Sequence, residues 1–162
     1  MARVYVSLGS NLERELRIHE AVTELQRQFG ELELSPVYDT VAVGFDGANF
    51  LNLVAGIDSS LDVETVAAAF HDIEARLGRV RSQSKYGSRS IDLDILLYDQ
   101  RILDVPGIRI PRPEILVNAF VLKPLQDIAA EGLHPQSGQS YAELWRAMAP
   151  DAPPMSVFPL AW

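Results

Sequence analysis

The chain has 162 residues, of which 48% are apolar and 22% charged, a composition typical of one globular domain. It contains no cysteine, which excludes disulfides and cysteine-ligated metals, and it contains no apolar run long enough to span a bilayer. The net charge of −8 argues against binding nucleic acid through its backbone. We therefore expect a single domain, residues 1–162, that is a cytoplasmic monomer and binds neither nucleic acid nor membranes.

The first hundred residues alternate between strand and helix patterns. The segments with the alternation of strands are 3–8, 31–40, 50–57 and 90–98. The segments with apolar residues at helical spacing are 18–29 and 63–77. The order β-α-β-β-α-β predicts an α+β fold, a ferredoxin-like two-layer sandwich with a mainly antiparallel sheet. Pro36 indicates that its strand lies at an edge or contains a bulge.

The last third of the sequence is less regular and predicts extra C-terminal elements. The extended segments are 101–103 and 108–113. The helical segments are 114–118, 124–130 and 141–148. The histidines His19, His71 and His134 do not have the spacing of metal ligands, and we expect them on the surface or on helix faces.

Two aspartates lie on one face of the predicted strand 90–98. Asp92 and Asp94 are separated by one residue, so their Cα atoms lie roughly 6.6 Å apart and their side chains point the same way. Such alternation usually marks a solvent-facing side, but Asp is a poor strand former, and neighbouring carboxylates repel each other unless a cation intervenes. Mg²⁺ prefers one or two carboxylates together with phosphate oxygens. The pair is therefore a candidate metal site.

The segment before this strand is basic. Its cationic residues are Arg79, Arg81, Lys85 and Arg89, and no acidic residue lies among them. Such groups bind phosphate, although a solvated loop that pairs with surface carboxylates would have the same composition. Phosphoryl transfer requires carboxylates that hold a metal ion and basic groups that bind phosphate. This stretch of the sequence contains both.

Six segments in chain order carry a family resemblance. They are GSNL at 9–12, YxT at 38–40, FLN at 50–52, GRVR at 78–81, KYGSRSIDLDIL at 85–96 and FVLxPL at 120–125. Together they resemble the 6-hydroxymethyl-7,8-dihydropterin pyrophosphokinase family of folate biosynthesis. The resemblance implies transfer of the pyrophosphoryl group of ATP to the hydroxymethyl group of the dihydropterin, with release of AMP.

The resemblance also implies roles for individual residues. Asp92 and Asp94 would hold two Mg²⁺ ions with ATP as co-substrate, while Arg79 and Arg89 would stabilise the charge that develops during transfer. The residues that the resemblance implies at the nucleotide are Glu74, Arg81 and Lys85, and we also expect Arg112 there. The residues expected at the pterin are Thr40, Phe50, Asn52 and Phe120.

The chain departs from the family pattern at several positions. The family usually has His at Arg112, Arg at Glu114 and at Asn118, and Pro at Ala42. We expect Arg112 to reach the triphosphate and to compensate for the arginine absent at Asn118; the alternative is that it packs beside two prolines with its head in water. Two other functions remain open: a divergent paralogue that binds a pterin or nucleotide with altered substrate or weak catalysis, and an RNA-binding module, which the net charge opposes.

Overall fold

The computed structural model describes residues 1–41, 48–78 and 91–162. The strands are β1 (Ala2–Ser10), β2 (Glu33–Leu34), β3 (Val37–Thr40), β4 (Phe50–Ser59), β5 (Asp92–Tyr98), β6 (Leu103–Val105), β7 (Ile108–Ile110) and β8 (Met155–Phe158). The α-helices are α1 (Arg14–Phe29), α2 (Val63–Arg76), α3 (Ala119–Ala129) and α4 (Tyr141–Met148). Short 3₁₀ helices cover Pro113–Leu116 and Ala149–Asp151.

The main sheet has the strand order β5-β1-β4-β3-β8, with β2 also paired to β4. Its described pairings are all antiparallel, and the longest, β1 with β4, runs from Ala2 opposite Ser59 to Ser10 opposite Leu51. Helices α1 and α2 connect β1 to β2 and β4 to β5. This arrangement confirms the predicted ferredoxin-like core.

One face of the sheet packs against α1 and α2. Alternate residues of β1 point to this face, and they form a cluster with the apolar stripes of both helices. Ile18 and Leu25 of α1 and Phe70 and Ile73 of α2 are almost fully buried in it. Burying a side chain of this size contributes about 1.5–3 kcal/mol, so this layer supplies much of the stability of the fold.

The other face of the sheet is covered at one end only. Helices α3 and α4 pack there against Val54 and Leu96 through Leu122, Leu125 and Tyr141. No element in the described ranges covers the end formed by the last residues of β1 and the first residues of β4 and β5. The residues on this open end include Gly9, Asn52, Asp92, Asp94 and the aromatic Phe50, and they form the candidate site.

Several predicted elements differ from the observed ones. The segment 31–40 forms two strands, because Pro36 cannot donate to the ladder and the backbone N–H of Ser35 bonds to Val54 O instead, at 2.9 Å. Helix α3 begins at Ala119 rather than at residue 124, and it continues through Pro124 because its apolar residues are buried on both sides of the proline.

The C-terminal region also differs from its prediction. The predicted extended segment 101–103 overlaps β6 only at Leu103, and β7 covers only the first three residues of the segment predicted at 108–113. The two strands form a hairpin, closed by a turn in which Gly107 has φ of 85°. The sequence did not predict β8, which pairs with β3 and covers its edge. None of the helices in the described part of the chain combines the length and apolar character needed to cross a membrane.

Candidate active site at the open end of the sheet

A cavity of about 240 Å³ lies between the open end of the sheet, the start of α3 and residues 112–118. The residues predicted from the sequence that line it are Thr40, Phe50, Asn52, Asp92, Asp94, Arg112 and Phe120. Sites for drug-sized ligands begin at roughly 300 Å³, so the described walls suit a small molecule. The fold thus brings seven predicted residues from five separate segments to one cavity.

The strand ladder sets the spacing of the polar groups in this cavity. Asp92 lies opposite Gly9, and Gly9 lies opposite Asn52, so the three residues form one row across β5, β1 and β4. At the usual strand spacing the aspartate and the asparagine are therefore separated by roughly 10 Å at their Cα atoms. The glycine between them has no side chain, so the Asn52 side chain can approach its backbone closely.

The two aspartates face the cavity together, as the strand alternation predicts. Asp94 lies opposite Ser7, and its side chain is 38% exposed. Carboxylate oxygens are the hard ligands that Mg²⁺ prefers, so this donor set fits the ion. Within residues 1–41, 48–78 and 91–162 no group of three or more acidic or histidine side chains could hold a metal. A cation here would therefore take its other ligands from water or from a substrate.

Arg112 lies at the acidic end of the cavity and contacts two carboxylates. Its Nη2 is 3.5 Å from Asp94 Oδ1, and its Nε is 2.7 Å from Glu114 Oε2. Neither sequence-based alternative described this arrangement, because both ignored the acidic neighbours. Each of the three side chains is about one-third exposed, and ion pairs of that kind contribute only about 0–1 kcal/mol. An incoming phosphate can therefore compete for the guanidinium.

The opposite end of the cavity is aromatic, with one amide. Phe50 and Asn52 come from β4, and Phe120 comes from the first turn of α3. The amide Nδ2 of Asn52 donates to Thr40 Oγ1 at 2.6 Å, so this amide already has a partner within the protein. A Cβ atom at Gly9 would lie 2.8 Å from Asn52 Oδ1. Any residue larger than glycine would therefore displace the Asn52 amide from its observed position.

Glu74 is buried beneath β5 and is not among the residues that line the cavity. Its Oε2 accepts a hydrogen bond from the backbone N–H of Leu93 at 2.8 Å, and its Oε1 lies 3.2 Å from His71 Nδ1. Glu74 thus holds the strand between the two aspartates. The contact of Glu74 with the nucleotide stays a prediction of the sequence.

Four predicted residues cannot be placed. Arg79, Arg81, Lys85 and Arg89 lie outside the described residues, as does the departure at Ala42.

The sequence did not predict a second, smaller cleft beside Asp94 and Arg112. It has a volume of about 50 Å³, and His71 of α2 and Arg109 of β7 lie among its walls. The hairpin of β6 and β7 brings Arg109 to this place, and the local sequence carries no signal for that docking. Sequence reasoning also missed Tyr38 and Asp127, which are described below.

The chain is similar to known proteins over most of its length. The family model for 7,8-dihydro-6-hydroxymethylpterin-pyrophosphokinase (HPPK) matches residues 5–130. The chain belongs to this family. It is 37% identical over 149 residues to a 2-amino-4-hydroxy-6-hydroxymethyldihydropteridine pyrophosphokinase of Pseudomonas aeruginosa. The aligned residues make up 90% of this chain and 91% of the relative. A relative of the same name from Aquifex aeolicus is 36% identical over 138 residues, 83% of this chain and 85% of its own length.

Longer HPPK relatives match over only part of their length. The folic acid synthesis protein fol1 of Pneumocystis carinii is 38% identical over 142 residues, 86% of this chain but 19% of that protein. The HPPK-DHPS crystal structure from Plasmodium falciparum with SDX-DHP superposes with a TM-score of 0.71 at 14% identity. The superposition covers 91% of this chain and 43% of the Plasmodium falciparum chain. At this identity the likeness shows the fold alone.

Proposed function

We propose that this chain transfers the pyrophosphoryl group of ATP to the hydroxymethyl oxygen of 6-hydroxymethyl-7,8-dihydropterin in folate biosynthesis. The hydroxymethyl oxygen attacks the β-phosphorus, the bond from that phosphorus to the oxygen shared with the α-phosphate breaks, and AMP leaves with that oxygen. The hydroxyl proton is lost. The observation that carries the proposal is a single cavity with two carboxylates at one end and two phenylalanines with an amide at the other, in a member of the HPPK family.

The aromatic end of the cavity suits a flat heterocycle. Phe50 and Phe120 offer apolar ring faces, against which a bicyclic pterin can stack. Asn52 offers a carbonyl oxygen and an amide, which match the alternating donors and acceptors on the edge of a pterin. The Thr40 hydroxyl that accepts from this amide fixes its orientation.

The acidic end suits the triphosphate with its cations. Asp92 and Asp94 would hold two Mg²⁺ ions, which when bound neutralise charge on the phosphates. Arg112 would exchange its exposed carboxylate partners for a phosphate, to which its planar fork is matched. Roles for Arg79, Arg81, Lys85 and Arg89 in binding or transfer stay predictions of the sequence.

The direct test is an assay for AMP. The full chain is incubated with ATP, Mg²⁺ and 6-hydroxymethyl-7,8-dihydropterin, and AMP and the pterin pyrophosphate are quantified by chromatography. We expect the two products to form in equal amounts, and only when both substrates are present. AMP that forms without the pterin, or no AMP at all, would contradict the proposal.

A second candidate is a paralogue that binds the ligands without efficient transfer. The contact between Arg112 and Asp94 favours it, because the guanidinium competes with a cation for one of the two carboxylates. Tight binding of both substrates in calorimetry, without AMP formation, would identify this case.

The remaining expectations concern the molecule as a whole. We propose that residues 1–162 act as one domain and as a monomer in the cytoplasm, without nucleic acid or membrane partners, on the basis of length, composition and charge. Light scattering of the purified chain tests the monomer, and a mass of twice 17.9 kDa would contradict it.

A further inference from the structure

A partly buried hydrogen-bonded link joins β3 to α3 outside the cavity. Tyr38 is 5% exposed, and its hydroxyl donates to Asp127 Oδ2. The other carboxylate oxygen of Asp127 accepts from Lys123 Nζ at 2.7 Å and from Gln126 Nε2 at 2.6 Å. Burial and the bond to Asp127 raise the pKa of Tyr38, so the hydroxyl keeps its proton and acts as donor. Each oxygen of this partly buried carboxylate thus has a partner.

This link is continuous with the aromatic end of the cavity. Tyr38 and Thr40 lie on the same face of β3, and Tyr38 lies directly opposite Asn52 in the strand ladder. Asp127 follows Phe120 by seven residues, so both lie on the same side of α3, two turns apart. The strand and the helix therefore meet at two places: Thr40 and Phe120 at the cavity, and Tyr38 and Asp127 below it.

The apolar contacts of α3 define its rotation on the sheet less sharply than the hydrogen bond from Tyr38 to Asp127 does. Val121, Leu122 and Leu125 pack with Val54 and Leu96 on the face of the sheet that α3 covers. Apolar packing of this kind tolerates small shifts of the packed elements. A hydrogen bond loses strength quickly when its distance or angle changes. The link to Tyr38 therefore resists a slide or a turn of α3 that would move Phe120 away from Asn52.

We propose that Tyr38 and Asp127 are positioning residues for the aromatic substrate. They hold Phe120 at the distance from Asn52 that a flat ring requires. This inference rests on the proposed function, and it adds two residues that do not touch the substrate. The link should affect binding of the pterin and not binding of ATP, because the acidic end of the cavity is built on β5 and residues 112–114.

The first test is Tyr38→Phe, which removes the hydroxyl and keeps the ring. We expect the KM for 6-hydroxymethyl-7,8-dihydropterin to rise about tenfold, equal to about 1.4 kcal/mol, while the KM for ATP stays within about twofold. The matched control is Tyr98→Phe, which removes a hydroxyl that donates to Leu61 O at 2.6 Å on the far edge of the sheet. Neither KM should change in the control.

The second test compares two changes at Asp127. Asp127→Asn keeps an acceptor for the Tyr38 hydroxyl, and Asp127→Ala keeps none. We expect a clearly smaller rise in the pterin KM for the asparagine variant, and no further rise when Tyr38→Phe is added to Asp127→Ala. If Tyr38→Phe does not fold, the comparison at Asp127 decides the question.

The outcomes separate this inference from the proposed function. If the wild type forms AMP, and Tyr38→Phe lowers the melting temperature without changing the pterin KM, the link is merely structural and the inference is overturned. Equal effects on both KM values, or equal losses in Asp127→Asn and Asp127→Ala, overturn it as well. A wild type that forms no AMP overturns the proposed function, and with it the inference.

Discussion

At the scale of single residues, the cavity separates charge from aromatic surface. The carboxylates of Asp92 and Asp94 lie on β5, while Phe50 and Asn52 lie on β4, with Gly9 of β1 between them. This separation suits a reaction between a polyanion and a flat neutral ring, since each needs a different environment. The following three predictions test the two ends separately.

The first prediction concerns the acidic end. Asp94→Asn should lower AMP formation about 100-fold or more, because it removes a negative ligand for the cations that stabilise the triphosphate. The melting temperature should not fall, since asparagine keeps the shape and relieves repulsion from Asp92. Asp104→Asn, at a side chain that is 75% exposed on β6, serves as the control. Turnover near that of the wild type at low Mg²⁺ would contradict the metal assignment.

The second prediction concerns Arg112. Arg112→Ala should weaken binding of α,β-methylene-ATP about tenfold, the value of one hydrogen bond to a charged group, and should leave pterin binding unchanged. Calorimetric titration measures both affinities. The control is Arg101→Ala, which removes an arginine that lies over the Tyr98 ring. An unchanged affinity for the nucleotide analogue would mean that Arg112 serves only its two carboxylate partners.

The third prediction concerns the glycine beneath the amide. Gly9→Ala places a methyl group 2.8 Å from Asn52 Oδ1, so the amide must turn away and pterin affinity should fall. Binding of the nucleotide analogue should not change. In an Asn52→Ala background the same change should have no effect, because the colliding oxygen is gone. An additive loss in the double variant would show that Gly9 acts through something other than Asn52.

At the scale of elements, single buried polar groups tie neighbouring segments together. Glu74 of α2 binds the backbone of β5 at Leu93, and Ser35 exchanges hydrogen bonds with Val54 beside Pro36. The turn 134–138 is held by His134, whose Nδ1 accepts from the backbone N–H groups of residues 136 and 137. The prediction that His134 lies on the surface or on a helix face is wrong, since the residue lies outside the helices, is 2% exposed and packs against the Tyr141 ring.

The burial of His134 predicts a dependence of stability on pH. Burial lowers the pKa of His134 below its usual 6.5, so the unfolded chain takes up a proton at a higher pH than the folded one. The free energy of unfolding should therefore fall as the pH decreases through 6.5 and level off below the folded-state pKa. Urea unfolding between about pH 5 and 8 measures this. His134→Gln should have a smaller slope; the same slope in both proteins would contradict the assignment.

At the scale of the whole molecule, β8 connects the last residues of the chain to the site. Met155 lies opposite Thr40 in the ladder with β3. Arg14 lies over the Phe158 ring at 5.2 Å, and Trp162 packs beside His19 at 5.2 Å. The strand therefore covers the edge of β3 and ties it to α1.

Removal of residues 155–162 should destabilise the protein and promote self-association. At about 1 kcal/mol for each lost hydrogen bond, we expect a loss of roughly 2–4 kcal/mol, and the uncovered edge of β3 becomes available to other chains. Urea unfolding and light scattering measure the two effects. Removal of 159–162 alone leaves β8 in place and should have a smaller effect. An unchanged unfolding midpoint in the longer deletion would contradict the role of β8.

The sequence by itself determined the core of the fold and the segments that carry the site. Strand alternation and helical stripes are local patterns, so the βαββαβ order and the shared face of Asp92 and Asp94 follow directly from them. The family resemblance then singled out Thr40, Phe50, Asn52 and Phe120, and a departure from the family pattern singled out Arg112. The structure brings all five to one cavity with the aspartates.

Only the tertiary structure decided how distant segments meet. The contact of Arg112 with Asp94, the bond from Leu93 to Glu74, the edge covered by β8 and the link from Tyr38 to Asp127 all depend on contacts between residues far apart in the chain. Tyr38 and Asp127 are separated by 89 positions, and nothing in either local sequence indicates the other. Periodicity tells which face of an element is apolar, whereas the identity of a polar partner depends on how the packed elements are oriented.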